Sequence, residues 1–298
     1  MSVSSESVLA LPAASERQRR LFGIGMTAPG ALATSVLVLF ALGVVLFLGF
    51  RTNDGSLLGG AFTLDNFKAA LTDPLYATVI LRSLAIAGLV TLATVVTAYP
   101  VAYYLAFHAG KHRALLLFIV TLPFWTSYLL RVFAWKVVLA FNGVLNSALM
   151  TAGITSEPIL AFLNTPAAVV ITLAHAYAAF AILPIYVALE NVPRSLIEAA
   201  EDLGARPTAI FRKIILPISM PGVMAAALVV FVPTVGDYVT PALVGGPNST
   251  MIGSMIQAQF GKANDWPFGA ALSVIVMLVI LAVVVVARRA DKRFGSRT

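Results

Sequence analysis

One acid in the sequence stands at the end of a long apolar stretch. Asp237 is followed directly by Tyr238, and a carboxylate beside an aromatic ring can hold a cationic group. Counted from Pro217 at ~1.5 Å per helical residue, Asp237 lies ~30 Å along its helix, which is the far end. Two roles stay open for Asp237. It could contact a bound cation, or it could be structural, as a helix cap or as the partner of Arg131 or of another subunit's arginine.

A second apolar stretch carries three aromatic residues behind a proline. Phe124, Trp125 and Tyr128 follow Pro123, which lacks a backbone N–H, frees a carbonyl and redirects the helix. Rings beside such a kink could line a path through the protein. They could equally belong to core packing or to the belt of aromatic residues at a membrane interface.

Motifs for catalysis are missing from the sequence. Gly110-Lys111 and Gly261-Lys262 lack the earlier glycine of the phosphate-binding pattern G-x-x-x-x-G-K. The chain has no H-E-x-x-H, no G-x-S-x-G and no cysteine. We therefore expect no catalytic residue, ATPase site, cofactor or metal site. His175, alone in an apolar stretch, is expected to hydrogen bond to a neighbouring helix.

The composition excludes a water-soluble globule. Of the 298 residues, 59% are hydrophobic and 11% are charged, against about 25% charged in ordinary soluble domains. The mean hydropathy is +0.92. Such a chain would expose more apolar surface than water tolerates, so its solvent is lipid. Because the net charge of +7 is explained by orientation in a membrane, no nucleic-acid partner is needed.

Apolar stretches of about 20 residues predict six transmembrane helices in an all-α membrane protein. The predicted spans are about 26–50, 83–107, 114–135, 166–189, 214–236 and 267–287. Fourteen of the twenty Lys and Arg residues fall on the side of the two termini, which places both termini in the cytoplasm. We expect cytoplasmic tails at 1–25, disordered over its first ~15 residues, and at 288–298. Arg131 and Lys136 are expected to snorkel to the outer interface.

The inner loop at 190–213 has helical periodicity that the other loops lack. Pro193 suits a helix start and Gly204 a helix stop. Between them, an apolar face and a charged face are predicted: Leu196, Ile197, Ala200 and Leu203 against Glu198, Glu201 and Asp202. A second short helix begins near Pro207. Two interpretations fit this amphipathic loop: a helix resting on lipid, or a docking surface for a cytoplasmic partner.

Seven positions in and after this loop resemble a known family. Glu198, Ala199, Ala200, Gly204, Ile214, Leu216 and Pro217 match the pattern E-A-A-x3-G-x9-I-x-L-P. This pattern is similar to the cytoplasmic loop in the membrane subunits of ABC importers. The resemblance implies that residues 26–287 form a permease domain whose loop 190–213 is a coupling helix, seated in a cleft of a separate ATPase subunit.

Four further stretches, 122–135, 236–247, 251–260 and 264–272, resemble the first permease subunit of spermidine/putrescine importers. This resemblance implies a multi-pass protein of the bacterial inner membrane that works with a second permease, two ATP-binding subunits and a periplasmic binding protein. For a polyamine cargo, Asp237 and Tyr238 would form an outer gate, and Phe124, Trp125 and Tyr128 could line the path.

Two other functions compete with polyamine import. The same kind of importer could carry opines or amino acids. A secondary transporter driven by protons or sodium would need ion-coupling carboxylates near mid-membrane, and often inverted repeats; the sequence shows neither.

Overall fold

The structure is a computed structural model, and it describes residues 16–55 and 60–295. Thirteen α-helices lie within these residues: α1 Glu16–Gly49, α2 Asp65–Thr72, α3 Pro74–Phe107, α4 Arg113–Thr121, α5 Tyr128–Val138, α6 Val144–Thr151, α7 Pro166–Glu190, α8 Arg194–Asp202, α9 Pro207–Ile210, α10 Leu216–Val235, α11 Val239–Val244, α12 Ile252–Gly261 and α13 Trp266–Gly295. The all-α fold predicted from the sequence is confirmed. The chain divides into two compact units, residues 1–47 and 48–298.

The first unit contains most of α1. This helix begins at Glu16, so the part of the predicted tail at 16–25 is helical. The predicted disorder of the first residues concerns residues 1–15, which lie outside the described residues. Apolar side chains such as Leu32 and Phe40 are exposed, as expected where lipid is the solvent.

The core of the second unit is built by α3, α7 and α10. Val90, Leu173 and Val230, one from each helix, are fully buried in one cluster. Gly222 on α10 lets that helix approach α7 closely, because an added Cβ would lie 2.3 Å from the Ala188 side chain. Small residues at helix contacts are typical of membrane proteins, where close packing holds helices together.

Within residues 16–55 and 60–295, five helices are long and apolar enough to cross a membrane, and up to six spans result if a bent pair counts as one. The five are Thr27–Gly49, Pro74–Phe107, Pro166–Glu190, Pro207–Val235 and Trp266–Ala287. The second helix starts well before the predicted residue 83, because Asp73 caps it: its carboxylate accepts from the Leu75 N–H at 2.8 Å. Pro74 then occupies the first helical turn, a position that needs no N–H donor.

The segment predicted as the third span, 114–135, is not one helix. Residues Gly110–Trp125 and Tyr128–Val138 meet at an angle of 90°. Pro123 lies in a 3-10 turn that ends α4, and Thr126 behind it is extended, with its hydroxyl bonded to the Pro123 carbonyl at 2.7 Å. The proline therefore redirects the chain as its chemistry predicts, but more sharply than a continuous span allows.

The chain between α10 and α13 folds into two short helices instead of an open loop. Met251 and Ile252, at the start of α12, are fully buried. The backbone N–H of Ile252 donates to the hydroxyl of the buried Ser83 on α3 at 2.8 Å. This bond ties the segment to the core, and the segment in turn holds the turn that carries Asp237.

Candidate functional site

The described part of the chain has two candidate sites, and the first surrounds Asp237. Tyr128 is the first residue of α5, directly behind the 90° break. Its hydroxyl donates to Oδ2 of Asp237 at 2.7 Å and lies 2.6 Å from the hydroxyl of Thr240. Since the single Tyr128 proton goes to the carboxylate, Thr240 is the donor in the second bond. We call Tyr128, Tyr177, Asp237 and Thr240 the Asp237 cluster.

Asp237 itself lies in the turn between α10 and α11 and is only 8% exposed. Its Oδ1 accepts from the backbone N–H of Val239 at 3.0 Å, at the start of α11. This bond closes a turn of the kind that Asp side chains form with the N–H two residues on, one position before Tyr238, the N-cap residue of α11. The other carboxylate oxygen faces Tyr128, and the proposed pairing with Arg131 is not made, because Arg131 donates elsewhere.

Arg131 differs from its prediction as a snorkelling residue. Its Nη1 donates to the backbone carbonyl of Ala176 on α7 at 2.7 Å, and its guanidinium carbon lies 5.9 Å from the centre of the Tyr128 ring. The Nε atom is buried without a hydrogen-bond partner among the described residues. The reason is the bend: it turns this face of α5 against α7, while Lys136, further along α5, is exposed.

A row of aromatic rings runs from the cluster to the break. The ring centres are 6.4 Å apart for Tyr128 and Tyr177, 6.1 Å for Tyr177 and Phe180, and 4.9 Å for Phe180 and Phe124. Of the five predicted path residues, Phe124, Tyr128 and Asp237 are thus brought together.

Trp125 and Tyr238 are not part of this row, and 80% and 47% of their respective surfaces are exposed. His175 packs its ring edge-on against Trp135 with centres 5.4 Å apart, so the helix contact expected for it is a packing contact.

The second site is the elbow, residues 190–213. Helix α8 ends as the sequence predicts, at Gly204, whose φ of +74° is a left-handed conformation that favours glycine. The N–H of Gly204 donates to the carbonyl of Glu201 at 2.8 Å, and that of Ala205 to Ala200 at 2.9 Å. These two bonds form a Schellman motif, which satisfies the last carbonyls of the helix and turns the chain sharply.

The two faces of α8 differ from the prediction at two residues. Ile197 and Ala200 pack against the core, and Glu198 and Ala199 are exposed, as expected. Leu196 and Leu203, predicted on the apolar face, are instead 46% and 87% exposed. Leu203 is the C-cap residue, where the chain leaves the helix, so that its side chain no longer follows the helical face.

Ile214, Leu216 and Pro217 lie apart from the exposed face of α8. Helix α9 continues without a gap through a π-helical turn at Phe211–Ile215 into α10. The predicted second elbow helix and fifth span are therefore one continuous rod, Pro207–Val235. Ile214 packs on the core, and Pro217 occupies the first turn of α10.

Comparison with known proteins identifies the family to which the chain belongs. Residues 98–296, which include both sites, match the family described as "Binding-protein-dependent transport system inner membrane component". The chain belongs to this family. The resemblance to ABC importer permeases seen at the seven positions in and after the elbow is thereby confirmed. The permease is a multi-pass protein of the inner membrane, and its family consists of components of binding-protein-dependent transport systems.

Named relatives cover most of the permease. The spermidine/putrescine transport system permease protein PotB of Escherichia coli (strain K12) is 40% identical over 82% of this chain and 88% of its own length. PotB of Haemophilus influenzae is 39% identical over 90% of this chain and 94% of its own length. A bacterial alginate ABC transporter, solved in complex with an alginate pentasaccharide-bound periplasmic protein, has a TM-score of 0.71 at 16% identity. It covers 93% of this chain and 96% of that one, and shows the shared fold.

Sequence reasoning missed three residues near Asp237: Tyr177, Phe180 and Thr240. Tyr177 and Phe180 are three residues apart on α7, a spacing that puts two side chains on one helix face. That spacing was the available signal. Thr240 offers none, because only the fold of α11 brings its hydroxyl to Tyr128.

Proposed function

We propose that this ABC importer permease carries a polyamine such as spermidine or putrescine into the cell. The main support for this proposal is the 39–40% identity to the two PotB proteins over more than four-fifths of the chain. The chemistry of the Asp237 cluster supports it, because a carboxylate framed by tyrosine rings suits an ammonium group.

The proposed gate works by exchange of a hydrogen-bond donor. In the structure, Tyr128 donates to Oδ2 of Asp237 and so covers the carboxylate oxygen that the bond from Val239 leaves available. An incoming ammonium group replaces Tyr128 as the donor, so that a bond between a neutral hydroxyl and the carboxylate gives way to one between two opposite charges. The rings of Tyr177, Phe180 and Phe124 then offer faces along which further ammonium groups can move.

The elbow is the proposed coupling site. Glu198, Ala199 and Gly204 on its exposed side, with Ala200 behind them, would contact the ATPase, and Leu203 presents an exposed apolar side chain for a pocket in that partner. Ile214, Leu216 and Pro217 act differently in this proposal. They hold the rigid junction through which elbow movement turns α10.

The remaining partners and the orientation complete the proposal. The chain pairs with a second permease, and two ATP-binding subunits supply the ATPase sites that it does not itself contain. The excess of Lys and Arg on the side of the termini and of the elbow puts these in the cytoplasm. ATP-driven closure of the ATPases moves the elbows, and the spans alternate between inward- and outward-facing states.

An opine or amino-acid cargo is the second candidate, favoured by one observation. Arg131 lies beside Tyr128 with a buried and unpartnered Nε among the described residues, and an arginine in such a place can bind a carboxylate. The two cargo classes thus require opposite charges at the same cluster.

Uptake by the whole importer in proteoliposomes tests the proposal. The complex, assembled from the co-expressed binding protein, second permease and ATPases, is supplied with labelled putrescine, spermidine or an amino acid. ATP-dependent uptake of the polyamines alone is the expected result. Uptake of the amino acid alone would replace the proposed cargo by the second candidate. Ion-driven uptake by the permease without ATPases would overturn the importer mechanism.

A further inference from the structure

We propose that Arg194 and Glu190 are positioning residues that transmit movement of the elbow to α3 and α4. The inference rests on the coupling role proposed for the elbow. Helices α7 and α10 are joined to α8 through the backbone, so they follow its movement directly. Helices α3 and α4 are not joined to α8 in this way, so movement of the elbow reaches them through their packing against α7 and α10 and through direct contacts with residues at the two ends of the loop.

Arg194 makes the first of these contacts. It is the first residue of α8, and its Nη2 donates to the backbone carbonyl of Ala106 at 2.7 Å. That carbonyl lies in the last turn of α3, where carbonyls lack partners within the helix and a positive charge is favourable. The guanidinium carbon also lies 4.4 Å from the centre of the Phe107 ring. One side chain thus holds the end of α3 by a hydrogen bond, a helix-dipole interaction and a cation–π contact.

Glu190 makes the second contact. It is the last residue of α7, and its carboxylate is bonded to the guanidinium of Arg113, the first residue of α4. The Arg113 guanidinium carbon also lies 5.1 Å from the centre of the Tyr186 ring on α7. We call the contacts of Arg194 and Glu190 the inner clamp. Through α4 and the break behind it, the clamp reaches α5, which carries Tyr128.

The start of the rod formed by α9 and α10 also contacts α3. The rings of Tyr99 and Tyr103 lie edge-on to the ring of Phe211, with centres 5.8 and 6.0 Å apart, and the Tyr99 hydroxyl lies 2.9 Å from the hydroxyl of Ser219 on α10. The clamp is a second connection, made by charged side chains between the start of α8 and the end of α3.

The test measures uptake per ATP hydrolysed by the assembled importer. Arg194→Ala removes the clamp's link to α3, so we expect the ratio to fall by about tenfold, which is typical of coupling between sites. ATP hydrolysis and co-purification of the ATPases should persist. Arg194→Lys keeps the charge but loses the planar guanidinium, and should restore part of the ratio. Lys111→Ala, at an exposed cation in the turn between α3 and α4, is the matched control and should leave the ratio unchanged.

The ion pair of Glu190 and Arg113 allows a second, independent test. Its loss should not prevent folding, because half-exposed ion pairs contribute little to stability. Glu190→Arg should lower the ratio, and adding Arg113→Glu should restore it. This test decides the question should Arg194→Ala fail to assemble. An unchanged ratio in Arg194→Ala, or in Glu190→Arg if only that variant assembles, would overturn the inference while leaving the coupling role of the elbow intact. Failure of the unmodified permease to bind ATPases would instead refute the proposed function.

Discussion

The Asp237 cluster and the elbow use polar residues in opposite ways. At the cluster, a carboxylate is nearly buried, and both of its oxygens accept hydrogen bonds from within the chain. At the elbow, the acids of α8 are exposed, and the bonds that define its end are made by backbone atoms. A gate needs a binding group that stays covered until cargo arrives. A docking surface needs a fixed backbone with side chains free for a partner.

The largest effect is expected from a substitution at the elbow. Gly204→Asp should lower uptake by about a hundredfold, since ~1–2 kcal/mol of left-handed backbone strain adds to a charge in a docking surface, where misplaced charges cost several kcal/mol. Co-purification of the ATPases and ATP-dependent uptake measure it.

Gly153→Asp is the matched control for this variant. Gly153 also has a positive φ, +71°, and it ends α6 with the same pair of backbone bonds, from Gly153 to Met150 and from Ile154 to Leu149. An added Cβ has free space at both glycines. Equal loss of the ATPases in both variants would mean that backbone strain, and not docking, is responsible.

Asp237→Asn tests the role of the carboxylate in the Asp237 cluster. Asn can still accept from the Val239 N–H, so the turn before α11 should persist, but the charge for an ammonium group is lost. We expect the KM for putrescine uptake to rise by about tenfold, as for the loss of a hydrogen bond to a charged group. ATPase co-purification should stay normal, in contrast to Gly204→Asp. An unchanged KM would remove Asp237 from the cargo path.

Tyr128→Phe tests the proposed gate while it leaves the charge of Asp237 in place. It removes the hydroxyl that covers Asp237, which favours the open state by about 1.5 kcal/mol, or about tenfold, at the low end for a hydrogen bond to a charged group. If opening and ATPase closure are coupled, ATP hydrolysis without binding protein should rise by that factor. Tyr238→Phe, at an exposed tyrosine, should leave this basal hydrolysis unchanged; a rise in both variants would argue against a specific gate.

The smallest effect is expected at Trp125. Its ring is 80% exposed and is not part of the aromatic row, so Trp125→Ala should change uptake by less than about twofold. Phe124→Ala removes a ring that packs on Phe180 and should reduce uptake more. The reverse order, measured in the same uptake assay, would mean that the path runs along Trp125.

Much of the fold follows from local pattern. Apolar stretches predict the spans because unpaired backbone groups are too costly in lipid, so that each long stretch must be a helix. The two discrepancies are also local in origin. Asp73 starts α3 early by capping it, and Pro123 turns a predicted span through 90°. Both residue types carry the signal, but the extent of the bend depends on how α5 packs against α7.

The two sites were predictable to different degrees. At the elbow, the helix start, the glycine stop and the family spacing all lie within a short run of sequence, so α8 and its end could be predicted. Leu203 could not, because its exposure depends on the path of the chain after the cap. At the cluster, Asp237 and Tyr128 were named separately, but nothing in the sequence paired them.

What the sequence alone determined about this permease is its solvent, its helices, the elbow with its stop at Gly204, and its resemblance to ABC importer permeases. Only the tertiary structure decided that Tyr128 covers Asp237, that Arg131 turns to the Ala176 carbonyl and that Arg194 holds the end of α3. The physical reason is the separation along the chain of the residues that interact. Helix formation and capping depend on neighbours within a few residues, whereas these three bonds join residues far apart in the chain, which only the packing of whole helices brings within reach.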